Sequence, residues 1–207
     1  MTTLHSFCTW LYTREITERV PAFPELSPPE PVIKWIDRET QNKILDVIPT
    51  FHKPIFDFMI HMPVRTQEAR ALKVKSINLK DMTVHIFEAL SGDEIRPRKN
   101  KRPYYLPLYS TFDFSILTNK LPEAFVFNNR EGKPYKHRHL VKIWETACKK
   151  LGVKIPLKCT RHSAASQAIN RGVGLDIISK ACGHSTIEVT KRYASMNVTL
   201  LKAVVDG

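Results

Sequence analysis

The sequence has few of the features that mark secreted, metal-binding or membrane proteins. Its 207 residues include only four cysteines, with no CxxC pair and no His-rich ligand spacing. We therefore expect neither a zinc site nor a disulfide framework, and a reducing cytoplasm fits this pattern. The N-terminus lacks a basic start followed by an apolar run, and no stretch approaches the roughly 18 apolar residues that a membrane span requires. These absences predict a soluble, cytoplasmic protein.

Acidic residues are scarce in most of the chain. The net charge is +12, from 32 Lys and Arg against 20 Asp and Glu. Residues 1–50 hold five basic and seven acidic residues, so residues 51–207 hold the other 27 basic and 13 acidic ones. A positive surplus of this kind attracts polyanions, of which nucleic acid is the commonest. The alternative is a basic protein without such a partner.

Proline is concentrated in one segment near the N-terminus. Residues 20–31 contain five prolines, which predict a stiff, extended linker. Before it, apolar residues at helical spacing predict an amphipathic helix over residues 2–16. We therefore place a boundary at residue 31, with the main domain over residues 32–207.

Helical patterns dominate the main domain, and a few extended segments interrupt them. The sequence predicts an α+β fold, mainly helical, with a small three-stranded antiparallel sheet and a basic turn. The predicted strands cover residues 74–77, 83–87 and 104–108, with the turn at residues 96–102. The predicted helices cover residues 37–47, 52–62, a segment from 66, 137–151, 160–171, 174–181, 187–194 and a last one near 198–204.

The most informative motifs lie near the C-terminus. An Arg-His-Ser motif begins at Arg161, a Gly-His-Ser motif contains His184, and Tyr193 follows nine residues later. This order and spacing resemble the signature of the tyrosine recombinases, the phage integrase family, which break and rejoin DNA. Upstream, Arg65 begins an Arg-x-x-Glu motif that resembles the first arginine motif of this family.

Two further lysines follow from the same resemblance. The family carries its catalytic lysine in the turn of the sheet, where Lys99 is the best match and Lys101 the second. Three residues before its second arginine the family usually has histidine, and this chain has Lys158. The implied catalytic set is Tyr193, Arg65, Arg161, His184, Lys158 and Lys99.

Elementary chemistry agrees with these roles. Attack on a DNA phosphodiester adds negative charge to the non-bridging oxygens, and planar guanidinium groups can bind two such oxygens at once. A tyrosine phenol is a tolerable leaving group when the DNA bond is remade, so no ATP is needed. A lysine can protonate the departing 5′-oxygen. No carboxylate cluster suits a two-metal site, so we expect no metal and no cofactor.

Double-stranded DNA is therefore the expected partner. Cationic side chains in the basic turn, at the start of the helix at 137 and beside Tyr193 are predicted to contact its phosphates, although such residues can also be merely solvated. They are Arg98, Lys101, Arg102, Lys136, Arg138 and Arg192.

The resemblance also implies an assembly. Members of the family form a tetramer on two DNA duplexes, and the apolar residues after Tyr193, such as Leu200 and Val204, would dock that tail onto a neighbouring protomer. Residues 1–31 would be the last helix of an N-terminal core-binding domain plus a linker. The alternatives are a non-catalytic DNA-binding module of the same fold and a topoisomerase of related chemistry.

Overall fold

The protein divides into two compact units, which a computed structural model describes over residues 2–24, 34–98, 103–183 and 190. The first unit comprises residues 1–32 and the second residues 33–207. In the first unit, helix α1 (Thr2–Thr13) is followed by turns, and the rings of Phe7 and Trp10 stack with their centroids 6.2 Å apart.

The described part of the second unit contains six α-helices and five β-strands. The helices are α2 (Arg38–Val47), α3 (Lys53–His61), α4 (Thr66–Ala71), α5 (His137–Lys150), α6 (Cys159–Asn170) and α7 (Leu175–Cys182). The strands are β1 (Ile77–Asn78), β2 (Thr83–Ile86), β3 (Glu88–Ser91), β4 (Glu94–Pro97) and β5 (Tyr104–Pro107). The predicted helices at residues 187–194 and 198–204 lie outside the described residues, apart from the helical residue 190.

The main core lies between α2, α3, α5 and one face of the larger sheet. Helix α3 buries five of its nine residues, which makes it the central helix of this core. Phe56 on α3 stacks on Trp144 of α5 with ring centroids 6.0 Å apart, and both side chains are fully buried. The indole of Trp144 donates to the carbonyl of Ile155 at 2.9 Å, so its one polar group is satisfied inside the core.

The sheet confirms the predicted fold class and adds one element. Strands β1, β2 and β5 form an antiparallel sheet in the order β1-β2-β5, and the alternating burial of Val84 and Ile86 turns one face of β2 toward the core. Strands β3 and β4 form a separate two-stranded hairpin that the sequence analysis did not predict. Its two-residue turn is Gly92-Asp93, with Gly92 at φ 65°. Leu90, 1% exposed, anchors the hairpin.

Helix α6 is held in place by polar contacts with the segment that enters the domain. The backbone N–H of Ile36 donates to the hydroxyl of Ser163 at 3.0 Å, and the side-chain amide of Gln167 donates to the carbonyl of Ile36 at 3.0 Å. Ser163 and Gln167 lie four residues apart, on one face of α6. This helix also carries Arg161, so the packing of α6 determines the position of a predicted catalytic residue.

Candidate active site

The site is organised by Glu68, a buried carboxylate on the short helix α4. Arg65 precedes the helix, and its backbone N–H donates to Oε2 of Glu68 at 2.8 Å. Glu68 thus caps the start of its own helix, a common use of glutamate at this position. The guanidinium of Arg65 also donates to Oε1 of the same carboxylate, at 3.0 Å. The Glu68 side chain is 1% exposed, whereas that of Arg65 is 37% exposed and reaches solvent.

Two arginines from distant parts of the sequence complete the set around this carboxylate. Nε of Arg98 donates to Oε1 of Glu68 at 2.8 Å, and Nη1 of Arg161 lies 3.7 Å from Oε2. The phenol of Tyr104 donates to Oε2 at 3.2 Å. We call these five residues the Glu68 cluster: Arg65, Glu68, Arg98, Tyr104 and Arg161.

The electrostatics of the cluster favour an ionised carboxylate. Burial raises the pKa of Glu68, but the backbone hydrogen bond from Arg65 and the charges of Arg98 and Arg161 outweigh it, and the pKa lies below its ordinary value. For Tyr104, burial and then the neighbouring charge of Glu68 raise the pKa of the phenol, so this tyrosine stays protonated and acts as a donor. Three guanidinium groups against one carboxylate leave a surplus of positive charge.

Arg161 has one donor group that makes no hydrogen bond within the described residues. Its Nη2 donates to the carbonyl of Cys182 at 2.6 Å, whereas the buried Nη1 has no hydrogen-bond partner within the structure described. Unpaired buried donors are costly and therefore rare. In a cluster with excess positive charge, this donor is suited to the oxygen of an anionic ligand such as a phosphate.

Gly183 is the point at which helix α7 meets the cluster. It ends the helix with φ 60°, and a Cβ there would lie 2.4 Å from Nη2 of Arg98 and 3.1 Å from Cε1 of Tyr104. Glycine is therefore required for two reasons: the positive φ of the backbone, and the lack of room for a Cβ beside Arg98 and Tyr104. Arg161 binds the carbonyl of Cys182, and Arg98 binds that of Gly183 at 3.5 Å. Two cations thus meet the negative end of the helix dipole.

The structure brings together some of the predicted catalytic residues. Arg65 and Arg161, 96 positions apart in the sequence, both lie within 4 Å of one carboxylate. Lys158 directly precedes α6 and is exposed. The other predicted catalytic residues, Tyr193, His184 and Lys99, lie outside the described residues, so their roles stay predictions.

Two members of the cluster were not predicted as site residues. Glu68 was noted only as the last residue of the Arg-x-x-Glu motif, but it is buried and holds three arginines; its position three residues after Arg65 was the available signal. Tyr104 was assigned only to a strand. Arg98, predicted to contact DNA, is 2% exposed and ion-paired internally, a position that favours a structural role.

A basic cleft lies beside the cluster, between the β3–β4 hairpin and the start of α5. Its volume is about 770 Å³, and five Lys or Arg side chains line it against two acidic ones. The basic residues are Arg65, Arg70, Arg96, Lys136 and Arg138. The cleft thus brings Lys136 and Arg138, both predicted DNA contacts, beside Arg65. Of the remaining predicted DNA contacts, Lys101, Arg102 and Arg192 lie outside the described residues.

Within the described ranges, no three His, Cys, Asp or Glu side chains come together as a metal site would require. None of the helices in those ranges is both long and apolar enough to cross a bilayer.

Comparison with known sequences gives distant relatives of one kind. The tyrosine recombinase XerC of Thermodesulfovibrio yellowstonii is 23% identical over 222 residues, covering 100% of this chain and 73% of its own length. The tyrosine recombinase XerA of Pyrococcus furiosus is 25% identical over 186 residues, covering 86% of this chain and 63% of its own. The chain therefore spans about two thirds of these relatives.

Solved structures share the fold. The Tn1549 transposon integrase in complex with circular intermediate DNA has a TM-score of 0.78 at 15% identity, with 98% of this chain and 77% of that chain covered. The XerA recombinase has a TM-score of 0.66 at 16% identity, with 93% and 69% covered. The sequence profile of the phage integrase family matches residues 34–199. This chain belongs to the phage integrase family of tyrosine recombinases.

Proposed function

We propose that this chain is the catalytic part of a site-specific DNA recombinase that cleaves and rejoins DNA through a 3′-phosphotyrosyl intermediate. The observation that carries the proposal is the Glu68 cluster, in which Arg65 and Arg161 converge from distant sequence positions and a buried donor of Arg161 has no acceptor within the described residues. Membership of the family supports the same activity.

The proposed reaction exchanges one phosphodiester for another. The phenol oxygen of Tyr193 bonds to the scissile phosphorus, and the bond from phosphorus to the 5′-oxygen breaks. Lys99 gives its proton to that oxygen. The phenol proton passes to His184, or to solvent water if His184 binds the phosphate instead. Arg65 and Arg161 bind the non-bridging oxygens, on which negative charge grows, and Lys158 assists them. Religation reverses these steps, and no external energy source is needed.

The basic cleft is the proposed path of the DNA backbone beside the reacting phosphate. Lys136 and Arg138 are both exposed and open into the same cleft as Arg65, which belongs to the cluster. Cations at the start of α5 oppose the helix dipole, so helix stability does not account for them. Contacts with DNA phosphates account for these cations, because such contacts fix the position of the duplex without reading its sequence.

The wider biological setting follows from the family resemblance. We propose that the protein acts in the cytoplasm, at the nucleoid if the host is a prokaryote, and forms a tetramer on two duplexes. The tail after Tyr193, with Leu200, Leu201, Val204 and Val205, would dock onto a neighbouring protomer. Residues 1–31 would be the last helix of a core-binding domain and its linker.

A suicide substrate, nicked beside the cleavage site so that religation is impossible, tests the proposal. A pool of such duplexes with candidate attachment sequences is incubated with the protein, and adducts that survive SDS are mapped. We expect a covalent adduct with the wild-type chain and none with Tyr193→Phe, which removes only one oxygen. Tight DNA binding without any adduct would instead identify a non-catalytic module, and adducts at every sequence would identify a topoisomerase.

A further inference from the structure

Arg98 occupies an unusual place for a residue in a basic segment. It follows directly after β4, and its backbone N–H donates to the carbonyl of Phe87 at 3.3 Å, which extends the pairing of the hairpin by one residue. Its side chain is 2% exposed, although residues 96–102 include five basic residues. A buried arginine is retained only where it is well paired.

Within the described residues, groups on three elements contact the Arg98 side chain. Nε donates to Glu68 of α4, and the guanidinium carbon lies 4.0 Å from the ring centre of Tyr104 on β5. Nη2 donates to the carbonyl of Gly183, at the end of α7. The planar guanidinium suits this environment, because it can donate in two directions and stack on an aromatic ring at once.

Two of the contacting residues are each followed in the chain by a predicted catalytic residue. Lys99 is the residue after Arg98, and His184 is the residue after Gly183. Consecutive Cα atoms are about 3.8 Å apart, so fixing Arg98 fixes where the chain that bears Lys99 begins. Glu68, the common partner, also holds Arg65 and Arg161.

We propose that Arg98 is a positioning residue, which ties the start of the segment carrying the general acid to the carboxylate that holds the two catalytic arginines. The proposal rests on the proposed function, because it assigns Arg98 a part in the protonation of the 5′-oxygen. In this role Arg98 needs no contact with DNA, because its effect passes through Lys99.

The test compares two leaving groups. In ordinary DNA, the bond from phosphorus to oxygen breaks and the 5′-oxygen must gain a proton. In a 5′-bridging phosphorothiolate, the bond to sulfur breaks, and the thiolate leaves without a proton because a thiol is far more acidic than an alcohol. A defect confined to protonation therefore disappears with the sulfur substrate, whereas a defect in the arginines or in folding does not.

Adduct formation is measured with both suicide substrates for the wild type and for Arg98→Met, a variant of similar length without the charge. Because Arg98 also holds Glu68, we expect Arg98→Met to cleave ordinary DNA roughly tenfold to a hundredfold more slowly, and to lose a much smaller share of its rate on the sulfur substrate. Lys99→Met should behave in the same way. Arg161→Met should stay slow with both substrates, and Arg130→Met, at an exposed arginine that faces the ring of Phe51, should match the wild type.

Melting temperature and DNA affinity are recorded for every variant, and Arg98→Lys repeats the comparison with the cation retained beside Glu68. Wild-type cleavage of ordinary DNA by Arg98→Met would overturn the inference. Equal losses on both substrates in this variant would overturn it too. If the wild type forms no adduct with either DNA while binding both, the proposed function itself fails, so the two failures can be told apart.

Discussion

At the scale of single residues, the centre of the site is a carboxylate that has no predicted part in the reaction. Glu68 contacts Arg65, Arg98 and Arg161. Its burial would be unfavourable if any of these partners were lost, because a buried charge needs both a counter-charge and hydrogen bonds. Arg65 and Arg161, the two arginines predicted to be catalytic, are therefore coupled through it, and substitution of one is expected to displace the other.

Replacing Glu68 with glutamine should reduce both stability and its dependence on pH. The pKa of Glu68 is lower in the folded state than its ordinary value of 4.5, so its stabilisation is full above that value and is lost as the pH falls through the folded pKa. We expect Glu68→Gln to lose about 3 kcal/mol at pH 7 and to show a flatter decline on acidification. Urea unfolding at a series of pH values measures both.

Glu94→Gln is the matched control for that experiment. Glu94 also pairs with an arginine, Arg96, but its side chain is 71% exposed. Exposed pairs contribute little, so its stability should change by less than about 1 kcal/mol. An equally small effect at Glu68 would contradict the central role that we assign to this carboxylate.

Gly183→Ala should impair cleavage more than folding. The positive φ makes alanine unfavourable by about 1 kcal/mol, and the new Cβ would also collide with Arg98. Gly132→Ala is the control, since Gly132 has φ 76° but no atom within 4 Å of a Cβ, which isolates the backbone strain. The melting temperature should fall somewhat further in Gly183→Ala than in Gly132→Ala, and adduct formation should slow only in Gly183→Ala. Equal activity of both would show that the contact with Arg98 is dispensable.

At the scale of elements, α5 has cations at both ends, with opposite physical consequences. Lys136 and Arg138 lie at its start, where the helix dipole disfavours positive charge, and Lys149 and Lys150 lie at its end, where the dipole favours it. All four side chains are exposed. Substitutions at the two ends remove the same charge, so comparing them separates an effect on DNA binding from an effect on stability.

We expect the double variant Lys136→Gln/Arg138→Gln to bind DNA more weakly while keeping or slightly raising its stability. The slope of log affinity against log salt should fall by roughly two, one unit for each lost phosphate contact. Lys149→Gln/Lys150→Gln removes the same charge and should leave that slope nearly unchanged, with a small loss of stability. Fluorescence anisotropy over a salt series measures the slopes; equal slopes for the two variants would argue against DNA in the basic cleft.

Sequence patterns predicted the helices better than the hairpin, for local reasons. The prediction of a helix over residues 137–151 matches α5, because its apolar positions repeat at helical spacing. The prediction of a helix over residues 37–47 matches α2, which begins after Asp37, whose carboxylate accepts the N–H of Thr40 at 2.7 Å. The β3–β4 hairpin was missed because its second strand runs into the basic segment and ends in proline, although Gly92-Asp93 is a typical hairpin turn.

At the scale of the whole molecule, the second unit has a core of its own. Among the described residues, the members of its main hydrophobic cluster lie between positions 36 and 181. Deleting residues 1–32 should therefore leave the melting temperature of the remaining chain within about 2 °C of the original, because all of these cluster members are retained. Differential scanning calorimetry compares the two chains. A drop of more than about 5 °C would mean that the first unit contributes to the stability of the second.

The site as a whole could be predicted only in part. Arg65 and Arg161 were identified because each lies in a short motif, and such motifs are visible within a few residues. The contacts of Arg98 were not predictable from the sequence. Its partners Glu68 and Gly183 are 30 and 85 residues away in the chain, and both contacts depend on how the hairpin and α7 pack. Its charge and its neighbours suggested an exposed turn, but the packing of three elements buries it.

The contacts of Ile36 make its backbone amide a reporter on α6, the helix that carries Arg161. Its N–H is bound by Ser163 and its carbonyl by Gln167, so solvent can reach this N–H only when the segment separates from α6. Deuterium uptake at this single position should therefore follow the frequency of that separation. A change in uptake on addition of DNA would reveal whether the helix bearing Arg161 tightens around its substrate, without any label in the site itself.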